Sequence, residues 1–459
     1  MPSKFREAVA PLYLLASLVL GGNTQGLWQN ALLQIAGLAI IVWAGAWPPH
    51  EAFSREAKPF LWLTIAGLVI VALQCVPLPP SIWAHGPRQN LADGYVILGS
   101  RIPWLPVSLT PYKTLSSLLT MIPPLAVFCA TVRLHAYRTT WLAIALLAGT
   151  MANVILGILQ VFGSETQPRW HSYTETNIGA AFGFFTNANH MATLLAVALP
   201  FLAAIGGAGN GRSLQRASPL LASLASVLLL LIISMVLNRS VLAFVLGPAA
   251  IAASAMILFR LSPTMQKGLF LAAAAMLLGG LALSSAGLID PTKLGSDTRK
   301  SVASRADILR TTNRAVLDYF PLGSGLGSFG QVYRTYEKPE AVTNEYVIHV
   351  YNDYAELVLE LGAGGLLLIV GLLVSWGSAV WAVWFRGEGG PYARAASIGS
   401  AVILAHSLVE FPLRTGALSV LFALCLALLA DRRRCQSPQA ADLRPTRHLV
   451  IGSEVAHKF

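Results

Sequence analysis

Apolar runs of about twenty residues recur along almost the whole chain, and short polar connections separate them. A helix that crosses the hydrocarbon core of a bilayer needs about 20 apolar residues, and these runs have that length. Hydrophobic residues make up 55% of the sequence and charged residues only 12%, which is too apolar for an ordinary soluble domain. The pattern predicts an all-α fold, a polytopic helical bundle in a membrane.

Twelve of these runs are predicted to span the membrane. The predicted spans cover residues 8–24, 29–47, 59–78, 113–132, 140–162, 188–207, 219–238, 241–260, 267–287, 354–385, 396–413 and 415–431. The first run has the character of a signal-peptide core but lacks a small-residue cleavage site, so we interpret it as a retained span. The tenth run exceeds the thickness of a bilayer, and we expect it to begin outside the lipid.

Basic residues fall on alternate connections between the predicted spans. With the N-terminus inside, every short connection assigned to the cytoplasm carries at least two Lys or Arg residues. Positive charge marks cytoplasmic loops, so this distribution predicts that both termini are cytoplasmic. Orientation signals and contact with anionic lipid headgroups explain much of the net charge of +11, and no nucleic-acid partner is indicated. None of the four cysteines lies in a predicted outside connection, which indicates neither a disulfide framework nor a zinc site.

One long polar segment, residues 288–353, interrupts the apolar pattern on the predicted outer side. Residues 301–320 place apolar side chains at helical spacing, which predicts an amphipathic helix. The arginines that project from this helix are Arg299, Arg305, Arg310 and Arg314. Long loops cross membranes regardless of charge, so these arginines carry no topological signal. A basic surface helix on lipid headgroups and a clamp for a diphosphate both fit, because guanidinium groups bind phosphate in bidentate fashion.

The same segment carries a glycine turn, Gly323–Gly327, and ends in a cluster of polar aromatic residues. The turn is no P-loop, since no Gly-Lys-Ser/Thr follows, and it indicates only that the backbone approaches a neighbour closely. His349 is able to accept a proton from a hydroxyl at neutral pH, or is a hydrogen-bonded structural histidine. Tyr351, Asn352 and Tyr354 either orient a substrate or cap and anchor the following helix.

Further polar residues fall on the predicted outer surface. Arg239 lies between two apolar runs, where an arginine snorkels to the headgroups or has a partner. Asn187 and His190 open one span, while Glu410 and Arg414, four residues apart, also fit an intrahelical ion pair. A polysaccharide transporter or flippase would place charged groups near the bilayer midplane. In this chain the polar and charged residues are grouped at one predicted surface, which favours an enzyme over a transporter.

These motifs, taken in order, resemble the bacterial O-antigen ligase and O-antigen polymerase superfamily over roughly residues 180–430. The similar segments are Gly183-x-Phe-x-Asn187-x-Asn189, Arg239-Ser240, Arg305 followed by Gly323-x-Gly-x-Gly-x-Phe329, His349-x-Tyr-Asn-Asp-Tyr354 with Glu360-x-Gly362, and His406-x-x-x-Glu410-x-Pro-x-Arg414. The chain departs from the family at three places. Tyr351 stands where a second histidine is frequent, Glu410 replaces an aspartate, and Leu309 stands where tryptophan is frequent.

The resemblance implies an integral-membrane glycosyltransferase with a GT-C-like fold of about twelve helices and one large periplasmic loop. The implied donor is an undecaprenyl-diphosphate-linked glycan on the periplasmic face of the bacterial inner membrane. The acceptor is the lipid A core in ligases or a second lipid-linked repeat unit in polymerases. Family members need no metal ion and no cofactor or nucleotide sugar. Both reactions stay open, and overall motif similarity leans towards ligase.

Family likeness and chemistry together suggest a role for each polar residue. His349 is the predicted base, with His190 in reserve. Arg239 and Arg305 are expected to stabilise the leaving diphosphate, assisted by Arg310 or Arg414. The remaining predicted substrate contacts are Asn187, Tyr351, Asn352, Tyr354 and Glu410. We expect three parts: N-terminal spans over 1–180, a ligase-like membrane domain over 181–431 that includes the loop 288–353, and a disordered cytoplasmic tail over 432–459.

Overall fold

The computed structural model describes residues 3–23, 27–46, 53–162, 180–208, 214–259, 264–265, 268, 271, 296–339, 342 and 346–433. Regular structure in these ranges is almost entirely helical. The helices are α1 Ser3–Leu20, α2 Trp28–Ala46, α3 Lys58–Gln74, α4 Pro80–Trp83, α5 Gln89–Ile97, α6 Pro111–Leu119, α7 Ile122–Val132, α8 Thr139–Phe162, α9 Ala188–Ala208, α10 Leu214–Asn238, α11 Val241–Leu258, α12 Ser296–Tyr319, α13 Phe329–Tyr336, α14 Asp353–Phe385, α15 Pro391–His406 and α16 Gly416–Ala430. Two short strands, β1 Pro77–Leu78 and β2 Leu105–Pro106, pair antiparallel.

Helices occupy every predicted span except 267–287, which lies outside the described residues apart from positions 268 and 271. Within the described chain, five helices are long and apolar enough to cross a membrane: Trp28–Ala46, Pro111–Val132, Thr139–Phe162, Ala188–Gly207 and Asp353–Phe385. Shorter apolar helices are Lys58–Gln74, Ala222–Asn238, Leu242–Leu258 and Gly416–Ala430. The fold is that of a helical, multi-pass membrane protein, and the total of twelve spans stays a prediction.

Helix α9 lies at the centre of the bundle and packs against α8, α11 and α15. Alanine and leucine dominate its sequence, and nearly all of its side chains are buried. Small residues let neighbouring backbones approach closely in a membrane bundle. Gly399 of α15 shows this, because a Cβ added there would lie 2.9 Å from Cγ1 of Val197. The N-terminal end of α9, which carries Asn187 and His190, is therefore held rigidly inside the bundle.

The polar segment folds onto the end of α14 around a small hydrophobic core of its own. Its buried members are Ile308, Ala315, Phe329, Val332, Tyr333, Val350 and Leu359. They come from α12, from α13, from the stretch before α14 and from α14 itself. Helix α12 confirms the predicted amphipathic helix and begins a few residues earlier than the pattern indicates. This packing fixes α12 and the His349 region relative to α14.

Helix α14 is interrupted at Gly362, whose φ of 58° and ψ of −136° lie in a region that essentially only glycine adopts. The predicted run 354–385 is thus a short polar helix followed by a longer apolar one. Beyond the break, the amide of Ala363 donates to the carbonyl of Pro321 at 2.9 Å instead of continuing the helical ladder. The interruption leaves carbonyl groups of the short helix available to neighbouring segments.

Candidate functional site

The glycine turn docks on the break in α14. The amide of Ser324 donates to the carbonyl of Leu359 at 3.0 Å, and the amide of Gly325 donates to the carbonyl of Glu360 at 2.9 Å. Because buried carbonyl groups need donors, the turn supplies what the broken helix no longer provides. The predicted close backbone approach is confirmed, and its partner is the end of the short helix.

Space and backbone conformation both require glycine in this turn. Gly323 and Gly325 have φ values of 79° and 102°, in the left-handed region that disfavours other residues. A Cβ at Gly323 would lie 2.4 Å from the carbonyl oxygen of Glu360, and one at Gly325 would lie 2.4 Å from Oγ of Ser108. The glycines of the motif are therefore explained by packing against α14 and the loop before α6.

Gln74, the last residue of α3, joins the turn to α14 from the other side. Its Nε2 donates to the carbonyls of Leu322 at 3.1 Å and Glu360 at 2.8 Å, and its Oε1 accepts from the amide of Leu326 at 3.3 Å. The first third of the chain thus helps to build the site. No sequence motif indicated this, since the contact joins residues almost three hundred positions apart.

Four charged residues form an arginine–carboxylate cluster: Asp353, Glu356, Glu360 and Arg414. The carboxylates recur every three to four residues and so share one face of the short helix. Nη2 of Arg414 lies 2.8 Å from Oε2 of Glu360 and 3.5 Å from Oε1 of Glu356, and its Nε lies 3.9 Å from Oδ1 of Asp353. Burial alone lowers the pKa of Arg414, but the three carboxylates outweigh it and raise that pKa above its ordinary value.

Arg414 does not pair with Glu410, although their spacing fits an intrahelical pair. Helix α15 ends at His406, and residues 412–414 form a separate 3-10 turn, so the two side chains do not lie one helical turn apart. Proline at 412 lacks the amide hydrogen that a continuing helix would need. Each of the two residues has its own partner on another element.

Glu410 pairs instead with Arg305 of α12. Nη2 of Arg305 donates to Oε1 of Glu410 at 2.6 Å, and its guanidinium lies 4.6 Å from the ring centroid of Tyr351. Glu410 is fully buried and also accepts from the side-chain amides of Asn187 and Asn189. The GFFTNAN segment, α12 and the late motif therefore meet at one carboxylate.

His349 lies between Glu356 and Phe411. Its Nδ1 is 2.9 Å from Oε1 of Glu356, and its ring centroid is 4.4 Å from that of Phe411. The amide of Val350 donates to the other oxygen of Glu356 at 3.0 Å. The His349 side chain keeps 22% of its surface exposed, so a substrate is able to reach the ring.

Arg239 lies beside this network, and its guanidinium has no ion pair or hydrogen bond among the described residues. Its side chain is exposed and its φ is 55°, a strained value for arginine. The neighbouring residues hold it in place. Asn238 donates to the carbonyls of Ala181 and Ala188, and Ser240 donates to Oδ1 of Asn189. The backbone of Arg239 is thus fixed next to the Glu410 network.

Of the other predicted residues, His190, Asn352 and Tyr354 lie at the site, whereas Arg310 does not. His190 is buried, with Nδ1 2.9 Å from Oγ1 of Thr415 and its ring 5.1 Å from Phe411. Asn352 caps α14 through the amide of Ala355, and the Tyr354 hydroxyl donates to the carbonyl of Leu404. Arg310 is exposed and pairs with Asp307 on the surface of α12.

Several residues of the site were missed by the sequence reasoning as binding or catalytic candidates: Gln74, Asn189, Asp353, Glu356, Glu360 and Phe411. For the carboxylates a signal was present. Three acidic residues at the head of a long apolar run need partners there, because unpaired charge at a membrane is costly. In the part of the chain that the structure describes, no three His, Cys, Asp or Glu residues are arranged to hold a metal ion.

An apolar groove of about 930 Å³ runs along the bundle, and Asn352 and Tyr354 belong to its lining. Helices α11, α12, α14 and α15 form its walls. Asn313, Asn352 and Tyr354 line it near the polar segment, and Trp376 and Trp384 line it further along α14. The groove therefore extends along the apolar part of α14 from residues that follow His349 in the chain.

Comparison with known protein families gives a match to part of the chain. Residues 213–370 match a family model described as O-antigen ligase, and no curated protein matches the chain. The matched range contains Arg239, Arg305, the glycine turn, His349 and Gly362. Over residues 213–370, about a third of its length, the chain is therefore similar to the O-antigen ligase family.

Proposed function

We propose that this protein is a membrane glycosyltransferase that moves a glycan from undecaprenyl diphosphate to an acceptor glycan on the periplasmic face, in the manner of an O-antigen ligase. The observation that carries the proposal is the polar site of His349, Arg305 and Arg414, which the chain joins within a few residues to Asn352 and Tyr354 in the lining of an apolar groove. A substrate that combines a long hydrocarbon, a diphosphate and a sugar needs these three environments side by side.

The groove suits the polyprenyl chain of the donor. Its lining is mostly aliphatic and aromatic, and it follows α14 away from the polar segment. A lipid tail in this groove would present its headgroup near Asn352 and Tyr354, next to His349. The apolar contact area would hold the donor in the orientation in which its diphosphate reaches the arginines.

Arginines surround the place where that diphosphate would lie. Arg305 and Arg414 are held by buried carboxylates, which fixes the guanidinium groups before substrate arrives. Arg239 has no described ion partner, so its charge is open to an incoming anion. Fixed cations stabilise the negative charge that develops on a leaving diphosphate, and little reorganisation is needed at that moment.

His349 would act as the base in the transfer. The acceptor hydroxyl loses its proton to the ring nitrogen, and its oxygen forms a bond to the anomeric carbon of the donor sugar. The bond from that carbon to the diphosphate oxygen breaks, and the electron pair leaves with the diphosphate. The partly exposed ring of His349, against Phe411, is in a position to meet such a hydroxyl.

The test uses a strain that lacks the gene and produces the full-length protein from a plasmid. Arg305→Ala and His349→Ala should abolish surface polysaccharide while the protein stays in the membrane at normal amounts. Arg314→Ala is the matched control, because that arginine is exposed on the same helix, and it should retain the polysaccharide. Full polysaccharide in the first two variants would refute the proposed roles.

Glycan analysis of the strain without the gene separates the remaining candidates. Loss of all polysaccharide from its acceptor indicates a ligase, whereas single repeat units that remain attached indicate a polymerase. If the protein is a flippase, the strain without the gene accumulates lipid-linked glycan on the cytoplasmic side of the membrane. Purified protein that joins lipid-linked glycan to acceptor without an energy source supports a transferase and contradicts a transporter.

A further inference from the structure

Glu356 contacts His349 and Arg414, two of the residues that the proposed function assigns to the chemistry. Its Oε1 lies 2.9 Å from Nδ1 of His349 and 3.5 Å from Nη2 of Arg414. Its Oε2 accepts the amide of Val350 at 3.0 Å, which fixes the backbone beside the histidine. The side chain is 1% exposed. A buried carboxylate with three donors around it has little freedom to take another position.

The contact determines which nitrogen of His349 carries the proton. An ionised carboxylate only accepts hydrogen bonds, so Nδ1 must be the donor towards Glu356. In the neutral imidazole the lone pair then lies on Nε2. Because Nδ1 faces a buried group, the accessible part of the ring lies on its other edges. Nε2 is the nitrogen left to meet a substrate.

We propose that Glu356 is a positioning residue of the transfer reaction, which fixes His349 in the Nδ1-protonated form and orients Nε2 towards the acceptor hydroxyl. The inference rests on the proposed function. When Nε2 takes the acceptor proton, the ring becomes an imidazolium, and the adjacent carboxylate stabilises that positive charge. The Nδ1 proton stays in its hydrogen bond to Glu356 throughout the step.

Other charged groups face the pair from each neighbouring element. Asp353 and Glu360 lie on the same helix as Glu356, and Arg414 lies on the turn before α16. Arg305 of α12 and buried His190 of α9 also act on this region electrostatically. Among these groups, only Glu356 is in hydrogen-bond contact with His349, so a change confined to Glu356 tests the geometry.

The direct test is nitrogen-15 NMR of the full-length protein in lipid bilayers, with labelled histidine. The chain has nine histidines, so the His349 signal is assigned by difference from His349→Gln. We expect an Nδ1-protonated His349 in the unchanged protein. Glu356→Gln should shift the population towards the Nε2-protonated form. An Nε2-protonated His349 in the unchanged protein overturns the inference without any variant.

Cells that carry the variants supply the second measurement. Glu356→Gln should lower polysaccharide transfer by about 100-fold, at the lower end of what general-base catalysis contributes. A purely structural role of Glu356 predicts a similar loss with the His349 tautomer unchanged in the NMR measurement. Unchanged transfer in Glu356→Gln also overturns the inference.

Glu360→Gln is the matched control for the NMR measurement. It changes a second buried carboxylate that binds Arg414 but does not contact His349, and it should leave the His349 tautomer as it is. The tautomer is measured without any transfer activity, so the two proposals fail separately. If the tautomer is as expected but His349→Gln retains full polysaccharide, the proposed function is wrong. The hydrogen bond between Glu356 and His349 is then still supported.

Discussion

Replacement of Arg414 by alanine provides the most direct test of how the site is built. The change removes the only guanidinium that contacts Asp353, Glu356 and Glu360 among the described residues. The three carboxylates are at most 7% exposed, so water cannot solvate them fully in its place. We expect Arg414→Ala to destabilise the protein through uncompensated buried charge.

The size of the effect follows from burial. Removal of one partner from a buried ion pair costs about 3–5 kcal/mol, and Arg414 itself is only 18% exposed. Arg310→Ala is the matched control, since Arg310 and Asp307 form an ion pair in which both side chains are more than two-thirds exposed. Exposed pairs contribute about 0–1 kcal/mol. Both changes replace an arginine by alanine, so the difference between their losses of unfolding free energy isolates the contribution of burial.

The assay is reversible unfolding of the purified full-length protein in mixed micelles, followed by tryptophan fluorescence. Arg414→Ala should lose several times more free energy of unfolding than Arg310→Ala. Glu360→Gln in the Arg414→Ala background should recover part of the loss, because it removes one unpaired charge. The Gln oxygen can still accept from the amide of Gly327, as Oε1 of Glu360 does at 2.9 Å. Equal losses in the two single variants would refute the reasoning.

Two further predictions concern the helix break and the open arginine. Gly362→Ala should destabilise the protein by at least about 2 kcal/mol and expose the polar segment to protease, because its Cβ would lie 2.0 Å from the carbonyl oxygen of Pro321 at a φ of 58°. Gly377→Ala, in the apolar part of the same helix with no atom within 4 Å of the added Cβ, should be neutral or slightly stabilising. Arg239→Ala should weaken the binding of undecaprenyl diphosphate by about 10-fold, a loss typical of one charge-assisted contact, and should leave the free energy of unfolding unchanged. The control Arg314→Ala should change neither the binding nor the free energy of unfolding.

The outcomes that contradict these predictions are equally specific. Gly362→Ala and Gly377→Ala variants with the same protease sensitivity would show that the break does not depend on glycine. If Arg239→Ala binds undecaprenyl diphosphate in nanodiscs as tightly as the unchanged protein, the arginine is not part of the diphosphate site. If instead it unfolds more readily, its role is structural.

Local patterns in the sequence predicted the parts of the fold that depend on local chemistry. The lengths of the apolar runs predicted the positions of the helices, and the spacing of apolar residues predicted α12. Both signals are local, because hydrophobic burial and helical periodicity act over neighbouring residues. Glycine spacing predicted a close backbone approach but not its partner at Glu360. The alternative interpretation of Glu410 and Arg414 as an intrahelical pair is wrong, since an i, i+4 pair presupposes a continuous helix and α15 ends at His406. Gln74 joined the site through contacts that no local pattern records.

The docking of the glycine turn on the break in α14 has a practical consequence for loop exchange between relatives. The turn, the short helix and Gln74 satisfy one another's backbone groups, so none of them has an independent hydrogen-bonded state. A chimera whose polar segment lacked the same turn would leave the carbonyl of Leu359 without the Ser324 donor, and Gln74 would be the remaining donor to the carbonyl of Glu360. A folded polar segment is therefore transferable only with a block that includes the end of α3, the polar segment and the first three turns of α14.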